Sequence, residues 1–129
     1  MKSYTELAVN LLNFTGTEAY HKVSIFPILL TDGAHYLAEN AECYWLMDLI
    51  GAHLMEEGVT DNSMFTVIRV HKDPETGEVD ILFDDGNGNI WSKQHIEVTD
   101  FPLITQKLYA QPHPHNGRQH WVIMLPSEY

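Results

Sequence analysis

Residues 31–58 read TDGAHYLAENAECYWLMDLIGAHLMEEG, and this stretch decides the fold. It is the longest segment of helix-forming composition in the chain. At its middle, Tyr44, Trp45, Leu46, Met47, Leu49 and Ile50 place apolar bulk on nearly every side of a helix. A helix apolar almost all round is buried in a core rather than laid on a surface. Thr31 or Asp32 offers an N-cap, and Gly58 offers a C-terminal stop. Asn40 sits where one helix could end and a second begin. The stretch is therefore one bent, buried central helix over about 32–57, or two abutting helices at roughly 33–39 and 41–56.

Upstream, Ser3 and Glu6 have capping-box spacing. Leu7, Leu11 and Phe14, with Leu12 beside them, form a helical stripe, so a first helix is predicted over about 4–13, ended by Thr15 and Gly16. Ile25, Phe26, Ile28, Leu29 and Leu30 are strongly apolar but interrupted by Pro27. They predict a short extended piece near a sheet edge.

Downstream of a polar linker at 60–63 the periodicity changes. MFTVIRVH at 64–71, VDILF at 79–83 and residues 90–98 read as strands, rich in β-branched and aromatic residues. DDGNGN at 84–89 carries the Asp-Gly and Asn-Gly pairs of a tight hairpin. Residues 103–111 read as a fourth strand, with a helix as the alternative. PHPHNG at 112–117 reads as a loop, and 118–125 as the last strand. Helices followed by hairpin-linked strands mean an α+β fold. The expectation is one domain over 1–129, with N-terminal helices packed on a mainly antiparallel sheet of four to five strands between about 64 and 125.

The chain has 129 residues and one cysteine, Cys43, so no internal disulfide can form and a reducing cytoplasm is the expected location. The N-terminal sequence has no leader pattern, and no apolar run approaches a membrane span. With 18 acidic and 7 basic residues the formal net charge is −11. That sign disfavours direct nucleic-acid binding and suits a basic protein partner, or a surface that imitates nucleic acid. The imbalance is shared by both halves, with two basic and eight acidic residues in 1–60 and five and ten in 61–129.

The candidates for chemistry are few. Asp48 lies in the most apolar part of the chain, flanked in the same region by Tyr44 and His53. A buried carboxylate must be hydrogen-bonded or paired, and its pKa could then suit acid–base work. The competing reading places Asp48 on the one polar seam of its helix. His113 and His115 flank Pro114, and His120 opens the last strand. Two imidazoles at i and i+2 of an extended chain face the same way, as a metal site needs, but no cysteine lies nearby and no carboxylate follows before Glu128, so a solvated Pro-His loop is the preferred reading. Asp85, Asn87 and Asn89 follow calcium-loop spacing, but Ile90 and Ile96 stand where that loop needs Gly and Glu, so the segment is a hairpin turn. Cys43 has no nucleophile context and reads as a small buried residue. No phosphate loop, paired CxxC or HExxH is present. No cofactor is indicated, and the enzyme question leans to no.

Several stretches together, LLTDGAHYLAENAECYWLMDLI at 29–50, FDDGNG at 83–88, VTDFPL at 98–103, LYAQ at 108–111 and LPSEY at 125–129, resemble a small uncharacterised family, a domain of unknown function met in bacteria, plasmids and phages. The resemblance runs over most of the chain. It implies a cytoplasmic, stand-alone protein carried on mobile elements, and no activity transfers with it. The histidine-rich 113–120 segment is not part of it. The leading expectation is thus a non-enzymatic interaction or regulatory module that binds a macromolecule. A ligand-binding or catalytic site between central helix and sheet, using Asp48, Tyr44 and His53, is the alternative. A structural homo-oligomer is the third.

Overall fold

The computed structural model describes residues 4–55, 65–97 and 99–129. Ser3, Gly58, the 60–63 linker and the start of the first predicted strand at Met64 lie outside them. Among the described residues three α-helices, α1 (Tyr4–Leu11), α2 (Asp32–Asn40) and α3 (Tyr44–His53), accompany six strands. The strands are β1 (Ile28–Leu30), β2 (Thr66–Lys72), β3 (Val79–Asp84), β4 (Ile90–Ile96), β5 (Thr105–His115) and β6 (Arg118–Met124). They form one sheet in the order β1-β6-β5-β2-β3-β4. The β1–β6 pair is parallel and every other pair antiparallel.

The fold is α+β as expected, with three corrections. First, the central stretch is two helices, not one of 32–57. The break falls at residues 41–43, where Glu42 adopts a left-handed φ of 51° that no helix continues through. Nor is α3 apolar to solvent on every side, because Tyr44 and Asp48 form an exposed strip along it. Second, the sheet has six strands and is mixed. The extra one is the 28–30 piece after Pro27, which pairs Ile28, Leu29 and Leu30 with Trp121, Val122 and Ile123. Third, the 112–117 loop is mostly strand. Among the described residues β5 pairs with β2 only as far as Ala110, and beyond it runs alongside β6 alone. Prolines are tolerated where no ladder hydrogen bond is asked of the missing N–H, and among the described residues no strand pairs with β5 on the side of Pro112 and Pro114 away from β6. The turn shrinks to Asn116 and Gly117, both at positive φ (52° and 76°), as a tight hairpin turn demands.

All three helices pack on one face of the sheet. Leu7 and Leu11 of α1, Leu37 of α2 and Leu46, Met47 and Ile50 of α3 join Ile68, Ile81, Phe83, Leu108 and Ile123 in a single apolar cluster. The opposite face holds a small cluster of Leu29, Val122 and Met124, with Tyr109 against it and no helical residue. No helix among the described residues is long and apolar enough to cross a membrane.

The start of α2 is clamped by the chain end. Thr31 is its N-cap, accepting from the Ala34 amide. The Glu128 carboxylate accepts from Thr31 Oγ1 at 2.6 Å, the Gly33 amide at 2.9 Å and the Leu125 amide at 3.1 Å. A carboxylate here satisfies an orphan N–H and complements the helix dipole. A side chain at Gly33 would meet the Glu128 carboxyl group and Leu125 Cδ1, the latter at 2.6 Å, so glycine lets both side chains sit where they do. The TDG and LPSE stretches quoted above thus form one structural joint.

Candidate functional site

Tyr44, Asp48 and His53 all lie on or at the end of α3 but do not converge. Tyr44 and Asp48 are one turn apart on the solvent strip. Asp48 is exposed and accepts from Ser24 Oγ at 2.6 Å. His53 follows Asp48 by five residues, about 140° around the helix. It stacks on Phe83 with ring centroids 4.7 Å apart and bonds Ser92 Oγ at 2.7 Å and Gln94 Oε1 at 3.3 Å. His53 therefore pins the helix-facing side of β4. Partial burial and the Glu39 carboxylate raise the Tyr44 phenol above its ordinary value. A groove of about 540 Å³ lined by Trp45, Ile96, Thr99 and Asp100, and one of about 280 Å³ beside Leu11 and Leu103, include none of the three.

Cys43 is fully buried at the start of α3, and burial pushes its thiol up to about 12. A thiol so raised carries almost no nucleophilic thiolate at neutral pH. A second histidine group surrounds Asp32. The Glu18 amide and His21 Nε2, at 2.9 and 2.8 Å, hold its carboxyl below the ordinary value. His21 in turn stacks on His35 at 4.1 Å. These contacts fasten the 17–21 segment to α2.

The sheet register assembles what the sequence had scattered. Directly paired residues project to the same side. On the helix-free face the pairing aligns His95, Asp80, His71 and Thr105 in one row across β4, β3, β2 and β5. The next row is Lys93, Leu82, Arg69 and Lys107. At the far end of the β5–β6 hairpin, His113 pairs with His120 and His115 with Arg118. Four of the chain's seven Lys and Arg and five of its eight His thus share one face.

The acids on and beside these rows are engaged. Arg69 Nε meets Asp84 at 2.7 Å, with the Asp84 side chain only 4% exposed. His95 contacts Asp80 at 2.6 Å and Glu78 at 3.4 Å, in that order of effect raising its pKa above the ordinary value. Arg69, His71, Lys93, His95 and Lys107 are all exposed. Between the two charged ends the face is sealed by its own apolar residues, Val67, Val122 and Met124 being at most 4% exposed. Phe65, Tyr109 and Tyr129 cluster there, with ring centroids 5.0 to 5.6 Å apart.

His113 and His115 stand at i and i+2 of β5, and the pairing of His113 with His120 brings the third imidazole to the same face. The His115 and His120 rings meet edge to face at 5.3 Å, while His113 packs on Tyr20 at 4.9 Å. Among the described residues no group of three or more His, Cys, Asp and Glu is arranged to hold a metal ion. The 84–89 segment is the hairpin turn, Asp85 accepting from the Asn87 and Asn89 amides and from Asn89 Nδ2.

The chain belongs to a family of unknown function, DUF6876, whose profile matches residues 5–129. No curated protein and no solved structure matches it.

Proposed function

We propose that this protein is a non-catalytic binding module that engages an acidic macromolecular partner through the helix-free face of its sheet. The observation that carries the reading is the register that gathers Lys93, Arg69 and Lys107 into one exposed row, with His95 and His71 in the next. On a chain of net charge −11 such a segregation stands out. The basic partner expected from net charge alone would have to use the other surfaces; this face favours the opposite sign. A catalytic site on Asp48, Tyr44 and His53 gains no support, because His53 points away from the Tyr44–Asp48 strip and is bonded to β4.

The test is binding of poly-L-glutamate, by fluorescence anisotropy, at low salt and at about 0.15 M. Exposed ion pairs contribute about 0.2–1 kcal/mol each. Reversing three cations, R69E with K93E and K107E, should therefore weaken binding by roughly 3- to 150-fold. Reversing Glu39 to Lys on α2 should leave it unweakened. Salt should weaken it too, since the charges are solvent-exposed. Binding indifferent to the triple reversal would overturn the proposal.

A further inference from the structure

Resting on that reading of the charged face, we propose that the outer edge of β4 receives an extended acidic segment of a partner protein as an added strand. β4 ends the sheet, and among the described residues no strand pairs with its outer side. It is seven residues long, whereas the strand at the other edge, β1, is three residues long and partly closed by the His21–Leu30 bridge. An open edge offers unpaired N–H and C=O groups, which give an incoming strand affinity without sequence readout. Side-chain pockets then supply the selectivity.

The two sides of β4 are prepared differently. Ser92 and Gln94 are held by His53, which fixes the strand against α3. Lys93 and His95 project to the charged face instead. An added strand lies about 4.8 Å away, so its alternate side chains on that face would stand directly beside Lys93 and His95. Acidic residues fit those positions. Arg69 and Lys107, further along the Lys93 row, extend the same field. Two open grooves flank β4, about 350 Å³ lined by Ile90, Trp91, Ser92 and Lys93, and about 540 Å³ lined by Trp45, Ile96, Thr99 and Asp100. They suit apolar side chains between the acidic ones. A second copy of this chain is disfavoured as occupant, because edge-to-edge pairing would bring Lys93 and His95 against their own counterparts, the device by which charged edges resist self-association.

The probe is a nine-residue peptide alternating Glu and Val. Two versions N-methylated at alternate amides block one edge of the peptide or the other while keeping its charge. The expected result is binding that one methylated version loses by at least tenfold and the other retains, with Lys93→Glu also weakening it at least tenfold at unchanged thermal stability. Equal binding of all three peptides would overturn strand addition while leaving the charged-face reading intact. Sensitivity to methylation without sensitivity to Lys93→Glu would place the strand on another edge and overturn the assignment equally. If neither this peptide nor poly-L-glutamate binds, the strand proposal and the charged-face reading both fall.

Discussion

Truncating Glu128 to Ala should unfold the protein at a markedly lower temperature. The side chain accepts three hydrogen bonds, from Thr31 Oγ1, the Gly33 amide and the Leu125 amide, at 2.6, 2.9 and 3.1 Å. Bonds to a charged acceptor contribute about 1.5–3 kcal/mol each, and the helix-dipole interaction about 0.3–1 kcal/mol. Glu128 is partly exposed, so water replaces some of what is lost. A net cost of about 2–4 kcal/mol follows. At about 4 °C per kcal/mol for a chain of this length, the melting temperature should fall by about 8–16 °C. Circular dichroism at 222 nm through a thermal ramp measures this. Glu128→Gln should show roughly half the loss, since an amide keeps the shape but turns an N–H toward one of the donors. Gly33→Ala should destabilise from the other side of the joint, its methyl meeting Leu125 Cδ1. A Glu128→Ala protein melting within about 2 °C of the wild type would refute the clamp.

Cys43 should resist thiol reagents at pH 8 in the folded protein, because burial holds the thiol at about 12 and leaves about one part in ten thousand as thiolate. Full reactivity should return in denaturant, and rapid labelling of native protein would contradict the placement. The pH dependence of stability has two limbs with opposite signs. The folded pKa of His95 lies above the ordinary 6.5, so the stability from its Asp80 and Glu78 contacts is present below that value and lost as pH rises through the folded pKa. The folded pKa of Asp32 lies below the ordinary 3.8, so its contribution is present above that value and lost as pH falls through the folded pKa. Thermal melts across pH should show the upper limb flatten in His95→Gln and the lower limb flatten in Asp32→Asn; unchanged profiles would count against both contacts.

Local signals made much of the fold legible. The break near Asn40, the Thr31 N-cap and the Asp-Gly and Asn-Gly turn were readable from single residues and short spacings. β1 was harder, since three residues after a proline make a strand only because β6 comes alongside them. Pro112 and Pro114 argued for a loop, and only the long-range pairing with β6 shows that this part of β5 is strand. The charged face was half written. Arg69 and His71, and Lys93 and His95, each stand two apart in strand-like runs, so each pair had to share a side. That the sides coincide depends on register, which a one-residue slip would reverse. Net charge, an average over the whole chain, concealed this face. Asp48 drew attention by its apolar neighbours in sequence, but helical geometry turned it to solvent beside Ser24.

The most direct measurement is amide chemical-shift mapping by ¹⁵N NMR during titration with poly-L-glutamate. The account predicts perturbations concentrated at Arg69, His71, Lys93, His95 and Lys107, fading with added salt, with α2 and α3 unmoved. Perturbations centred on the helices, or none at all, would contradict it.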